Sequence, residues 1–307
     1  SAGLDDPTGW CTGVSVVDIN NDGWTHIYIS RSAAVGYPEY RYNQLYINQK
    51  NNTFKESSAA WGLAHLGYST QSYFFDYDKD GDLDMYQLNH RIDFQNNGKI
   101  NSKIMSNIEA LTSDHLYENT GYTFVDVTQK AGTYNKAWGL SCSIGDFNND
   151  NWPDIYVAND YLEPDILYIN QKDGTFKDEI LNAFSHISFY SMGSDIGDMN
   201  NDGYNDLIVL DMMADDHIRG KENMASMSTS DFLEMVKNGF HYQYMTNALH
   251  LNMKNGSYTD VGQFSGISKS DWSWAPLIGD YNNDGLNDLY VTNGIYKDVG
   301  NRDFNIQ

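Results

Sequence analysis

Cysteine is almost absent from this 307-residue chain: Cys11 and Cys142 are the only two, 131 residues apart. One such pair builds neither a disulfide framework nor a zinc site. Both sit in apolar, strand-like segments, so two unpaired, buried thiols are expected. No run of about 18 apolar residues occurs, so the sequence carries no candidate membrane-spanning helix. Basic residues are scarce: 19 Lys and Arg face 42 Asp and Glu, a formal net charge of -23. That imbalance argues against nucleic acid and anionic membrane surfaces as partners, since both need cationic neutralisation. No G-x-S-x-G, H-E-x-x-H, P-loop or Cys/His pair at informative spacing is present, and no signal peptide is visible. Aromatic residues, by contrast, make up 14% of the chain, with 23 Tyr and 7 Trp. This is not the composition of a disordered acidic tail, and the question becomes where the acids sit.

They sit in repeats. Five segments align without gaps: DINNDGWTH at 18–26, DYDKDGDLD at 76–84, DFNNDNWPD at 146–154, DMNNDGYND at 198–206 and DYNNDGLND at 280–288. An apolar, Gly/Ser-rich stretch precedes each, and a short β-rich run follows. After four of the five comes a second shared block, as in QLYINQKNNTFKE at 44–56 and ILYINQKDGTFKD at 166–178. Period-2 apolar runs split by Asn/Gly turns predict a β-hairpin. The unit is therefore strand, acidic loop, strand, connection, strand, tight turn, strand, which describes a propeller blade.

Motif starts are 58, 70, 52 and 82 residues apart, a variation that inter-strand insertions in a propeller tolerate and a stacked solenoid does not. An all-β propeller of four-stranded antiparallel blades is expected. Its units span approximately 5–60, 61–130, 131–185, 186–263 and an incomplete 264–307, about four and a half blades in one segment. Extra length falls in two inserts, 90–113 and 211–247. In the second, SDFLEMVKNGF at 230–240 predicts a short amphipathic helix capped by Ser230. The chain starts and stops inside units, so it is expected to be part of a longer polypeptide.

The loops predict a calcium ligand set. Calcium takes six to eight hard oxygen ligands at flexible spacing. Positions 1, 3 and 5 supply Asp18, Asn20 and Asp22; Asp76, Asp78 and Asp80; Asp146, Asn148 and Asp150; Asp198, Asn200 and Asp202; and Asp280, Asn282 and Asp284. Position 6 is the turn residue, and position 7 offers the backbone carbonyl of Trp24, Asp82, Trp152, Tyr204 or Leu286. Asp84, Asp154, Asp206 and Asp288 close four of the loops at position 9. The first has His26 there, a poor calcium ligand, so that site is expected to be weak, water-completed or empty. An EF-hand is excluded, because the residues that would supply its closing Glu (Ile29, Gln87, Val157, Val209 and Val291) belong to strands. The plainer alternative, that such loops are only turns, loses ground with each copy that repeats the same acid positions. Clustered carboxylates repel without a cation, so four to five Ca2+ ions are expected and the metal should stabilise the fold.

The G-D-x-N-x-D-G-x-x-D-L/I-Y-V loop, followed by N-x-L-Y-x-N and G-x-F-x-D, resembles the FG-GAP/VCBS repeats, which are related to the calcium-binding blades of integrin α-subunits. Segments such as YSTQSYFFDYDKDGDLDMYQLNH at 68–90 and DWSWAPLIGDYNNDGLNDLYVTNGIYKDV at 271–299 also resemble large bacterial VCBS-repeat proteins that often carry an ASPIC/UnbV domain. The resemblance covers essentially the whole chain. It implies an exported, cell-surface protein, often lipid-anchored through an upstream segment, with a propeller of about seven or more blades.

Two functional classes remain at this level. The first is a calcium-stabilised interaction, adhesion or assembly scaffold with a protein partner or glycan. The second is a polysaccharide lyase or hydrolase, or a glycan-binding module, on a propeller face. Candidates for chemistry are His90, Arg91, His186, Tyr190, His217, Arg219, His241 and Tyr242, none within a recognised motif. Trp10, Trp61, Trp138, Trp272 and Trp274 occupy repeat-equivalent places before the first strand of a unit, where blade packing is expected. Trp24 and Trp152 are expected to pack over the acidic loop. The Met-rich insert (Met212, Met213, Met224, Met227, Met235 and Met245) offers either an adaptable partner surface or plain insert core.

Overall fold

In the computed structural model, residues 2–4, 8–33, 36–91, 111–136, 138–223 and 229–294 are described. Most of the first insert, together with Met224, Met227 and the tail after 294, lies outside them. Among the described residues, β-strands recur in the predicted order. The first sheet is β1 (Trp10–Val17), β2 (His26–Ser32), β3 (Gln44–Asn48) and β4 (Phe54–Glu56), hydrogen-bonded in that order. The second is β5 (Ser69–Phe75), β6 (Asp84–Asn89), β7 (His115–Asn119) and β8 (Phe124–Asp126). The third is β9 (Gly139–Gly145), β10 (Asp154–Asn159), β11 (Ile166–Asn170) and β12 (Phe176–Asp178).

Next in chain order come β13 (Ile187–Ser188), β14 (Ser194–Gly197), β15 (Asp206–Val209), β16 (Gln243–Tyr244), β17 (Ala248–Asn252) and β18 (Tyr258–Asp260). Of these, β14-β15-β17-β18 form the fourth four-stranded sheet, and β13 pairs parallel with β16 outside it. The last pair is β19 (Ser273–Gly279) with β20 (Asp288–Asn293). These meanders are β-propeller blades. Each acidic loop joins the first strand of a blade to the second.

Contacts divide the described chain into two compact units. One holds the first two sheets with residues 138–140 and 170–177; the other holds residues 141–169 and 178–294. In the first unit the core gathers Ile19, Tyr28, Leu45, Leu63, Met85, Tyr117 and Phe124, one or two side chains from each strand region. In the second, Phe147, Tyr156, Phe184, Leu207 and Tyr258 do the same. Each buried aromatic removes roughly 150–250 Å² from water, so a few per blade dominate its stability. Within the second unit, successive blades nest at the end of their first strands. A Cβ added to Gly145 would lie 2.9 Å from Ile196 Cδ1, and one added to Gly197 would lie 2.9 Å from Ile278 Cγ2. A glycine at this point lets the isoleucine of the following blade approach the backbone.

The structure corrects three expectations. Cys142 is buried but Cys11 is exposed. It lies on β1, whose Val14 and Val16 are exposed as well. Trp10 opens the same strand and is 67% exposed, and Trp274 is exposed too, whereas Trp138 is 4% exposed, so neither Trp10 nor Trp274 is buried in a blade as expected. The insert helix runs Thr229–Lys237 and already includes Thr229, which puts Ser230 inside it rather than at its cap. Met235 from this helix packs with Leu162, Phe189 and Phe240, with Met245 against them; this part of the Met-rich insert is core. No helix among the described residues is long and apolar enough to cross a membrane.

Candidate metal loops

The loops share one backbone conformation. Position 6 lies in the left-handed region in every copy: φ is 83° at Gly23, 96° at Gly81, 67° at Asn151, 84° at Gly203 and 86° at Gly285. Position 4 does too, at Asn21, Lys79, Asn149, Asn201 and Asn283. Four of these five are Asn, the non-glycine residue that enters this region most readily. The turn aims backbone N–H groups inward, where they hold the acids in place. The position 1 carboxylate accepts from position 6 throughout, for example Gly23 to Asp18 Oδ2 at 2.7 Å and Gly203 to Asp198 Oδ2 at 2.8 Å. Position 5 accepts the N–H of position 7, at 2.9 Å for Trp24, Asp82 and Trp152. Position 3 accepts the N–H of position 5, as Asn200 does from Asp202 at 3.0 Å.

Position 9 has a structural duty besides any ligand role. Asp84 Oδ2 accepts the N–H of Tyr77 at 3.1 Å and its Oδ1 accepts that of Asn119 at 2.8 Å. Asp206 repeats this with Met199 at 2.9 Å and Asn252 at 2.8 Å. This carboxylate ties the loop to the third strand of its own blade.

The second loop is the most acidic. Ligand oxygens of Asp76, Asp78 and Asp84 all lie within 4.8 Å of one another. In the other loops position 1 Oδ1 accepts the N–H of position 5, but Asp80 donates to Asp78 instead. Asp76 Oδ1 is consequently buried without a hydrogen-bond partner. Burial pushes Asp84 up to about 7 against the relief its two N–H donors give. Asp78 is raised as well, by burial and then by the charges of Asp80 and Asp76. A carboxylate oxygen with nothing to accept, facing two more that resist ionisation, matches the donor set of a hard divalent cation.

The first loop has the opposite character. His26 is fully buried. Its Nδ1 accepts the N–H of Asn48 at 3.1 Å, the bond Asp84 Oδ1 makes in the next blade. The proton is then on Nε2, which lies 3.0 Å from Asn20 Oδ1 and 4.0 Å from Asp18 Oδ1. Burial lowers the basicity of His26, with the charges of Asp22 and Asp18 opposing. The Lys50 ammonium sits 3.2 Å from Asp22 Oδ2. A related lysine contact occurs in the fourth loop, where Lys254 Nζ lies 3.3 Å from Asp202 Oδ2 and 4.9 Å from the Tyr204 ring centre.

Adjacent loops and blades are linked by asparagines. Asn21 donates to Asp82 Oδ1 at 3.0 Å, and Asn201 to the Gly285 carbonyl at 3.0 Å. At the end of the third strand, Asn119, Asn170 and Asn252 donate to the carbonyls of Ile19, Tyr77 and Phe147, position 2 of the preceding loop, at 2.9, 2.8 and 3.1 Å. The Oδ1 of each accepts a backbone N–H of its own hairpin turn. A second set escaped the sequence reading. Asn43, Asp114, Asp165 and Asn247, just before the third strand, each accept an N–H at or near the end of the second strand (Arg31, Asn89, Asn159 and Asp211), at 2.7 Å. The recurring N/D at the head of the Asn-x-Leu-Tyr-x-Asn block was the signal for them.

Most of the residues considered for catalysis are engaged by neighbouring groups. His90 stands edge-on to Trp138, with Nδ1 2.7 Å from the Arg91 carbonyl. Arg91 lies over Trp138. His241 Nε2 bonds the Phe184 carbonyl, and its Nδ1 accepts the Tyr242 N–H. His186 pairs with Asp260 at 3.1 Å, Arg219 pairs with Asp271, and Tyr190 packs on Phe189 and Tyr161. Trp152 is half-buried beside its loop and Trp24 is exposed.

A family model described as "FG-GAP-like repeat" matches residues 33–86, 146–209 and 238–291, together more than half of the chain. Integrin alpha-6 of Gallus gallus is 27% identical over 170 residues. That alignment covers 50% of this chain and 15% of the integrin, so the chain spans a small part of the relative's length.

Proposed function

The chain belongs to the FG-GAP-like repeat family, and on that premise we propose that it is a calcium-binding β-propeller module that acts in adhesion or assembly outside the cell, through a protein or glycan partner. The single observation that carries the metal reading is Asp76 Oδ1, buried and without a partner among Asp78 and Asp84. In this reading Asp76, Asp78, Asp80 and Asp84, with the Asp82 carbonyl, hold one ion. Asp146, Asn148, Asp150, Asp154 and the Trp152 carbonyl hold a second. Asp198, Asn200, Asp202, Asp206 and the Tyr204 carbonyl hold a third, and Asp280, Asn282, Asp284, Asp288 and the Leu286 carbonyl a fourth. Asp18, Asn20, Asp22 and the Trp24 carbonyl form the weakest set.

A bound ion would supply the positive charge that offsets the clustered carboxylates. The chain supplies the left-handed turn and the inward N–H groups that keep the ligand oxygens converged in advance, so little ordering remains to be done on binding. The role is structural: the loop at the head of the second strand is fixed, and inserts carried on fixed strands present a defined surface. Calorimetric titration of chelated protein with Ca2+ and Mg2+ tests the reading. Saturable Ca2+ binding at four to five sites, the first loop weakest, with Mg2+ weaker throughout, is expected. Absence of binding at millimolar Ca2+, the range in which extracellular modules work, overturns it.

A further inference from the structure

A cavity of about 1050 Å³ opens beside the insert helix of the fourth blade, away from its acidic loop. Ligand pockets run from roughly 300 to 1,000 Å³, so this one has room for a short oligomer. One wall is aromatic. Phe232, from the insert helix, stacks on Tyr244 at 5.4 Å and 24°. His186 meets the same tyrosine edge-on at 5.4 Å. Tyr244 is therefore held from two directions while staying 43% exposed. Phe264 also lines the cavity and is 95% exposed.

Blade packing does not explain Phe264. It lies two residues before Gly266, whose φ of 81° matches Gly62 and Gly132 in the corresponding turns of other blades; the residues two before those glycines are Ala60 and Lys130. A lone exposed ring is ordinary, but one that lines the same cavity as an ordered aromatic pair is not. The polar lining is of two kinds. The His186–Asp260 pair is already engaged, since Asp260 also accepts the N–H groups of Leu249 and Gly262. Gln263, Ser268 and Lys269 also line the cavity. Their side chains have no hydrogen-bond partner among the described residues.

We propose that this cavity is a saccharide-binding site. Sugar rings present C–H faces to the Tyr244 and Phe264 rings, and their hydroxyls meet the free amide, hydroxyl and ammonium of Gln263, Ser268 and Lys269. A ligand that is apolar on its faces and polar around its rim fits such a lining. A purely apolar ligand would leave those three groups unpaired. An extended peptide would call for a row of free backbone groups or charge pairs, and the wall offers rings and short polar side chains instead. The site rests on the glycan-partner part of the proposed function and is independent of its metal part, because no loop ligand lines it.

Saturation-transfer NMR on the full chain tests this with cellotriose, maltotriose, chitotriose, mannotriose and trigalacturonic acid as probes, and a proline-rich peptide as the competing class. At least one saccharide is expected to bind. Phe264→Ala, a change at an exposed position that leaves the melting curve in place, should weaken it by about threefold to tenfold, the worth of one aromatic stack. Gln263→Ala should weaken it as well. If no saccharide binds at millimolar concentration, if Phe264→Ala binds as wild type does, or if the peptide alone binds here, the proposal fails. Calcium binding at the loops is scored separately by calorimetry, so either result can fail without the other.

Discussion

The first and second acidic loops share a backbone and a compact unit, and Asn21 of one donates to Asp82 of the other. They solve the same electrostatic problem in opposite ways. The first brings its own compensation: a neutral imidazole where an acid would close the ring, and a lysine on its position 5 carboxylate. The second has an acid at each of positions 1, 3, 5 and 9 and leaves an oxygen buried and unpartnered. Loop shape is therefore set by the turn and its inward N–H groups, and dependence on an ion chiefly by position 9.

Substitution at position 9 should separate the loops most widely. Asp84→Ala strands the N–H groups of Tyr77 and Asn119, and should cost about 4 kcal/mol at roughly 2 kcal/mol for each orphaned donor. His26→Ala strands only that of Asn48 and should cost about 2 kcal/mol on the same scale. Urea denaturation measures both, and equal losses would break the contrast. Calcium at a hundredfold excess over its Kd should stabilise the wild-type protein by about 2.7 kcal/mol per independent site. Asp76→Asn should remove one site's share in thermal melts, whereas Asp18→Asn should leave the response nearly intact. His26→Asp should complete the first acid set and raise the bound-ion stoichiometry by one in calorimetric titration; an unchanged count would mean that position 9 does not decide occupancy. The smallest effect is expected from Lys50→Met, since an exposed ion pair contributes little. It should slightly raise calcium affinity at the first loop of the His26→Asp protein, and a lowered affinity would show that the lysine supports the site.

The alternation of strands and the five loops could be read from the residues because both repeat with fixed internal spacing, and a period-2 apolar pattern specifies which face is buried. The doubt placed on His26 came from its chemistry alone. What His26 does instead, accepting the Asn48 N–H in place of a carboxylate, required knowing that position 9 faces the third strand. The same gap hid the linking asparagines. Asn119 stands 100 residues from its acceptor Ile19, and no local pattern reports such a contact. Cys11 and Trp10 misled for a related reason: strand-like composition says that one face of β1 is apolar, but not whether a neighbour covers it. The parallel pairing of β13 with β16 joins a segment ahead of the fourth blade's first strand to one near the end of its insert, a separation beyond any hairpin signal.

The asparagine at the end of the third strand in the second, third and fourth blades gives those blades a direction. Its amide grips the loop behind, while its own loop presents a carbonyl to the blade ahead. Donor and socket are written into one repeat, so tandem duplication of the gene segment would supply both halves of a new junction together. An array joined this way can lengthen or shorten without reinventing its seams, which leaves the inserts free to diverge in sequence while the framework that carries them is kept.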